Sequence, residues 1–308
     1  MLAYIDWQPS LEVFSIGAFS LRWYSMMWVI GLLSACLIVH KLYRQQNIPE
    51  EKFEPLFFYC FLGTLIGARL GHCIFYEPGY YLTSKIGFME MFLPMHYTAA
   101  GWKYTGYEGL ASHGGTIGLF IGMWLYARKH QIGMWTVIDN VAIATPLTCC
   151  CIRLGNLMNS EIIGNVTDVP WAFIFHTREA MVDGILTPRH PAQLYEAIAY
   201  LIIFFGGLCI YRWDKAQCAK HHAQLEATQK HKNAKTQKLT KLVGTSFYFG
   251  YCVFTIFFFR FFVEFLKKEQ VAFEQGMPLD MGQLLSIPFV LIAAYAMWKG
   301  WGKGYNHH

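Results

Sequence analysis

An arginine, two asparagines and a glutamate fall within nine residues, in Arg153-Leu154-Gly155-Asn156-Leu157-Met158-Asn159-Ser160-Glu161, directly after an apolar run long enough to be a membrane helix. Ionisable groups at membrane depth are costly to insert, so their presence there points first to function. A forked cation beside amide donors suits the binding of phosphate or of developing negative charge. Similar groups recur at Arg22-Trp23-Tyr24, at Arg69 with His72, at Ser112-His113, from His190 to Glu196, and at Arg260 with Glu264. Imidazoles such as His113 and His190 can exchange a proton near neutral pH.

The elements that must position these groups follow from composition. Apolar residues make up 55% of the 308 and charged residues 15%, with a mean hydropathy of +0.28. An ordinary soluble domain carries roughly 25% charged residues. The expectation is therefore an all-α polytopic membrane protein forming a single integral domain over residues 1–308. Seven apolar segments are long enough to span a bilayer, at roughly 20–40, 55–76, 109–127, 134–152, 191–211, 244–266 and 280–298. The first nineteen residues hold Asp6 and Glu12 but no Lys or Arg, so they lack the basic start of a cleavable signal peptide. The first span is expected to stay in the mature chain.

With the N-terminus outside, fifteen Lys and Arg fall on the inner side and seven on the outer. That asymmetry places the N-terminus outside and the C-terminus inside. Eight of the fifteen inner residues lie in one segment, 212–243, and without it the count is seven on each side; this segment is rich in Lys, Gln, His and Ala and reads as a cytoplasmic basic insertion, a solvated helical hairpin or a disordered stretch. Its charge can also attract anionic lipid. The uneven basic residues are explained by topology, so a net charge of +5 gives no reason to expect a nucleic-acid partner. On this topology every polar cluster sits at the outer ends of the spans. Scattered structural ion pairs have no reason to share a depth, whereas an active site facing the outer leaflet would collect them there. A transporter more often holds such groups at the midplane, and no internal repeat is visible.

Each cluster has a plainer reading too. Arg260 and Glu264, four apart on one helix, can form a local pair that merely offsets their burial. Trp23 and Tyr24 can be interfacial aromatics. Gly114 and Gly115 can serve close helix packing, and Pro191 a helix start. The nine cysteines lie almost entirely within predicted spans, without a Cys-x-x-Cys pair, so neither a disulfide framework nor a zinc site is expected. Cys149, Cys150 and Cys151 read as small packing residues.

Five motifs occur in order: Gly67-Ala68-Arg69-Leu70-Gly71-His72; Ser112-His113-Gly114-Gly115; the 153–161 stretch followed by Gly164; Arg189-His190-Pro191-Ala192-Gln193-Leu194-Tyr195-Glu196; and Arg260-Phe261-Phe262-Val263-Glu264 with Gly282-Gln283 beyond it. Together they resemble the bacterial prolipoprotein diacylglyceryl transferases, over about residues 14–298. The resemblance implies a seven-helix inner-membrane protein whose site faces the periplasm, with 165–189 as a small outer head. It also implies transfer of a diacylglyceryl group from phosphatidylglycerol to the lipobox cysteine of a prolipoprotein signal peptide, forming a thioether and releasing glycerol phosphate. Neither a metal nor an organic cofactor is implied.

Carried over by motif, Arg153 and Arg260 are candidates for binding phosphate, with Asn156 and Asn159 adding headgroup hydrogen bonds. Glu161 and Glu264 would orient the arginines or take a proton. His113 resembles the family histidine proposed as the thiol's base, although direct arginine stabilisation of the thiolate would serve the same end. Tyr24, Arg69, Gly164 and His190 match positions that line the substrate. Three positions depart from the pattern: Ala68 for a second glycine, Leu157 for phenylalanine, and Ile256 for a tyrosine. Of other classes, a lipid or anion transporter using the arginine cluster as a vestibule is the alternative.

Overall fold

The structure, a computed structural model, describes residues 4–16, 19–99, 101–106, 109–227, 239–268 and 279–305. Along the chain come strands β1 (Ile5–Trp7), β2 (Glu12–Ile16) and β3 (Phe19–Arg22), then helices α1 (Trp23–Gln45) and α2 (Glu50–Phe75). Short helices α3 (Pro78–Tyr81) and α4 (Lys85–Phe92) follow, with strands β4 (Met95–Thr98) and β5 (Gly101–Tyr104). Next are α5 (Ser112–His130), α6 (Met134–Met158) and strands β6 (Phe173–Phe175), β7 (Met181–Val182), β8 (Ile185–Leu186) and β9 (Pro188–Arg189). The chain closes with α7 (Ala192–Ala227), α8 (Phe247–Glu264) and α9 (Met281–Tyr305).

Six of these helices, α1, α2, α6, α7, α8 and α9, are long and apolar enough to cross a membrane. Their outward faces are apolar, with Leu37 70%, Ile202 66% and Leu291 66% exposed, an arrangement stable only against lipid. The expected third span forms as α5, 19 residues long, but its Ser112-His113-Gly114-Gly115 start and Arg128-Lys129-His130 end leave it short of the other six in apolar content. The polytopic helical fold expected from composition is thus present. Among the described residues the strands are short and lie before α1, between α4 and α5, and between α6 and α7.

The chain divides into two compact units, residues 47–137 and residues 1–46 with 138–308. In the first, α2 and α5 approach until their backbones touch. A Cβ on Gly67 would lie 2.4 Å from the Gly114 carbonyl oxygen, and one on Gly118 would lie 2.0 Å from that of Gly63. Small residues at one-turn spacing permit such contact where no hydrophobic force drives helices together. Beyond α2, a short arm is built on Glu90 of α4, only 1% exposed. Its carboxylate accepts from the Tyr97 N–H (2.6 Å), the Tyr80 hydroxyl (2.8 Å) and His96 Nδ1 (2.9 Å). Burial favours the neutral acid, but these donors outweigh it and hold the Glu90 carboxyl below its usual range. Burial, and then donation to Glu90, pushes the Tyr80 phenol up to about 12.

In the second unit, β1 runs parallel to β6, and β9 completes a three-stranded sheet. The head expected from residues 165–189 therefore includes a strand from the N-terminus. Trp7 fastens it to α6, with its ring tilted against Phe173 and its Nε1 donating to the Leu157 carbonyl at 2.9 Å. The segment expected as an insertion over 212–243 is tied into the fold at both ends. Helix α7 has 36 residues and so rises about 54 Å, well beyond a hydrocarbon core of about 30 Å, and its continuation buries Asp214 and Cys218. At the other end Thr240, Leu242 and Val243 are buried, the last two in a core with Leu42, Ile143 and Tyr211. Residues 228–238 of that segment lie outside the described residues.

Candidate active site

In the larger unit, the C-terminal ends of α6 and α8 and the N-terminal end of α7 bring together much of what the sequence singled out. Arg153, on α6, directs Nε to Glu196 Oε2 at 3.1 Å as an ion pair. Its Nη1 donates to Asn156 Oδ1 at 3.4 Å, and Asn156 Nδ2 donates in turn to Glu161 Oε2 at 3.1 Å. Asn159 Nδ2 donates to the other Glu161 oxygen, also at 3.1 Å. Glu161 thus bonds the two asparagines, and the carboxylate that holds Arg153 is Glu196, which is fully buried. Glu196 further accepts from the Tyr200 hydroxyl (3.1 Å) and Lys267 Nζ (3.2 Å).

Glu161 leaves α6 in a strained turn. Ser160 and Ile162 on either side have φ values of 55° and 60°, left-handed conformations that cost non-glycine residues about 1–3 kcal/mol each. The buried Gln193 side chain of α7 pins this turn by donating to the Glu161 carbonyl. Tyr24, at the start of α1, packs on Gly155, where a Cβ would lie 3.0 Å from its ring. The motif's glycine therefore lets α1 approach α6 between Arg153 and Asn156.

The expected Arg260–Glu264 pair is absent. Glu264 Oε2 accepts instead from Lys267 Nζ at 3.1 Å, and Glu264 lies over Gly282, where a Cβ would meet its Oε1 at 2.6 Å. Arg260 is half-buried and makes no ion pair among the described residues. The expected arrangement, in which Glu161 and Glu264 orient the arginines, is replaced by a chain running Arg153, Glu196, Lys267, Glu264. Lys267 and Tyr200 escaped the sequence reading, although Lys267 follows Glu264 by only three residues, just beyond the end of α8. Ile256, the position without the family's tyrosine, packs in the cluster that holds Tyr200.

Gly164 lies where strand-like hydrogen bonds meet. Its N–H donates to the His190 carbonyl at 3.0 Å, its carbonyl accepts from Arg189 Nη1 at 3.2 Å, and a Cβ would lie 2.5 Å from the His190 oxygen. His190 Nδ1 is 3.1 Å from the Tyr195 hydroxyl, which also accepts from Trp171 Nε1 at 2.8 Å. Burial lowers the His190 pKa and so favours the neutral ring.

Arg69 and His113 belong to the smaller unit. Arg69 is 7% exposed and donates to the carbonyls of Glu90 (2.7 Å) and Met91 (3.3 Å) while lying over the Tyr81 ring. This geometry makes it an anchor of the arm, where a substrate contact was expected. His113 stands in the first turn of α5, exposed and without a hydrogen bond or ion pair among the described residues.

Chemically, the larger unit presents three cations, Arg153, Arg260 and Lys267, among three carboxylates at one end of its helices. Of the three cations, Arg260 alone has no carboxylate partner among the described residues. Such a set can receive a phosphate and stabilise charge on a departing oxygen. The profile of the prolipoprotein diacylglyceryl transferase family matches residues 12–299. A phosphatidylglycerol–prolipoprotein diacylglyceryl transferase from Bacteroides fragilis is 52% identical over 298 residues, covering 96% of this chain and 95% of the relative. Proteins of the same name from Chloroherpeton thalassium and Tolumonas auensis are 37% and 36% identical, covering 96% and 94% of this chain and 94% and 95% of their own. On the strength of that full-length match, the chain belongs to the prolipoprotein diacylglyceryl transferase family.

Proposed function

We propose that the ionic network on α6, α7 and α8 is the active site of a phosphatidylglycerol–prolipoprotein diacylglyceryl transferase. The observation that carries this reading is Arg260, a half-buried guanidinium without an ionic partner among the described residues, where Arg153 and Lys267 are both paired with carboxylates. Arg260 binds the phosphate of phosphatidylglycerol. Arg153, held by Glu196, adds positive charge and turns toward the headgroup amides of Asn156 and Asn159. Tyr24, Gly164 and His190 line the same end of the unit and shape the approach of the substrates.

The sulfur of the lipobox cysteine attacks the glyceryl carbon that carries the phosphate. A carbon–sulfur bond forms, the carbon–oxygen bond breaks, and the electron pair leaves on glycerol phosphate. Charge grows on that leaving oxygen, and fixed guanidinium groups are matched to it. A free cysteine thiol has a pKa of about 8.5, so at neutral pH the reaction gains from a base that removes its proton. His113 takes that role; its support is the motif and its uncommitted imidazole rather than a distance to Arg153. Glu161 and Glu264 keep the network's charge balanced.

The inner-side excess of Lys and Arg supports a periplasmic N-terminus, a cytoplasmic C-terminus and a periplasmic site in the bacterial inner membrane. Incubating the purified protein with phosphatidylglycerol vesicles and a lipobox peptide tests the reaction. The peptide should gain the mass of one diacylglyceryl group, and a peptide recovered unchanged would overturn the proposal. For orientation, an impermeant thiol reagent should label Asp183→Cys in intact cells and spare Gln131→Cys; the reverse pattern would place the site on the other face.

A further inference from the structure

We propose that Lys267 keeps Arg260 available to an anionic ligand by holding the Glu264 carboxylate away from it. The proposal rests on the reading of Arg260 as the phosphate-binding cation. Arg260 and Glu264 are one turn apart on α8, the spacing at which opposite charges on a helix ordinarily pair. Here Glu264 Oε2 takes the Lys267 ammonium at 3.1 Å instead.

Three observations explain why this diversion is stable. The Lys267 side chain is 4% exposed, and its Nζ lies between Glu264 and Glu196, so the charge is fixed within the network. Its backbone is fixed as well: the Lys267 N–H donates to the Glu264 carbonyl at 3.0 Å, and Lys267 forms a bridge with Gly164. Gly282 of α9 leaves room for the Glu264 carboxylate that any side chain would fill.

The two carboxylates that share Lys267 depend on it unequally. Glu196 also has Arg153 and Tyr200, whereas among the described residues Glu264 has Lys267 alone. Without Lys267, Glu196 stays paired and Glu264 is left as an uncompensated charge. Such a charge is strongly unfavourable in a dehydrated site. The cation within one turn on its own helix is Arg260, and a carboxylate on that guanidinium occupies the fork that a phosphate would use.

The test is a double-mutant cycle on Lys267 and Glu264, with KM measured separately for phosphatidylglycerol and for a lipobox peptide and with thermal melts of each purified variant. Lys267→Met should raise the KM for phosphatidylglycerol about tenfold or more while the peptide KM changes little, as expected when one ligand-binding charge is quenched. Adding Glu264→Gln should recover much of that loss, so that the double variant outperforms Lys267→Met. A purely structural ion pair predicts no such recovery, and a double variant no better than the single one at matched melting temperature would overturn the role given to Lys267. If Lys267→Met does not fold, Lys267→Gln, compared with Lys267→Arg and combined with Glu264→Gln, makes the same comparison with a smaller steric change. Arg260→Lys separates the two layers. If it leaves the phosphatidylglycerol KM intact, the reading of Arg260 itself fails; if it raises that KM and the cycle shows no recovery, only the role of Lys267 fails.

Discussion

The larger unit buries carboxylates at both ends of its helices and treats them in opposite ways. At the end carrying the 241–246 turn, Asp139 of α6 accepts backbone N–H groups from Gly244, Thr245, Ser246 and Phe249 at 2.9–3.1 Å. Asp214 accepts the N–H groups of Lys241 and Leu242 and the Tyr305 hydroxyl. These acids are bonded chiefly by backbone groups, and Asp139 helps complete the start of α8, whose first N–H groups have no partner within the helix. At the other end Glu161, Glu196 and Glu264 bond chiefly to side chains, which can exchange a partner for a ligand. The comparison teaches that burial of a charge identifies a site only when its partners are themselves exchangeable.

The largest expected effect would sharpen this contrast. Arg153→Lys and Arg260→Lys keep the charge but lose the planar fork, and each should lower kcat/KM by about 10²–10³ with little change in melting temperature. A loss of folding in step with activity would make the two ends alike.

His113→Gln should follow, with a loss at pH 7 of about 10² if the imidazole removes the thiol proton. The sign with pH is definite. As pH rises toward the thiol's own pKa, ionised substrate no longer needs the base, so part of the activity should return by pH 9. An equal loss at both values would leave His113 as a positioning residue.

Asp139→Ala tests the backbone-bonded end. It removes an acceptor shared by four N–H groups, those of Thr245 and Ser246 buried, and a buried donor left without a partner costs about 1–3 kcal/mol, so the melt should fall. Turnover per folded molecule should stay within about twofold, and a selective loss of turnover would show that this end is coupled to the chemistry. The smallest effect is expected from replacing residues 228–237 with a short Gly/Ser segment. The anchors at Asp214, Thr240 and Leu242 remain, and closure free energy varies only slowly with length, so kcat/KM should hold within about twofold.

What was legible in the sequence was set by periodicity and cost. Runs of about twenty apolar residues announce membrane helices because a bilayer offers no other partner for the backbone. Arg153, Asn156, Glu161 and Arg260 stood out because charge and amide groups at that depth are expensive. The short strands were not legible, since two to five residues of pairing leave little alternation to detect. β1 joins β6 across more than 160 residues of chain, a contact no local pattern can encode.

The sequence by itself therefore determined that the protein is helical and membrane-embedded, and which residues could carry its chemistry. Only the tertiary structure decided who pairs with whom. Helical spacing offered Arg260 to Glu264, but a carboxylate goes to whichever cation the packing brings within about 3 Å. The fold of α8 onto α7 and α9 gave that place to Lys267. In the same way a buried arginine on a motif, Arg69, reads like a ligand contact until its donors are seen to end on the carbonyls of Glu90 and Met91. Residue type fixes what a group can bond to, and three-dimensional distance fixes what it does bond to.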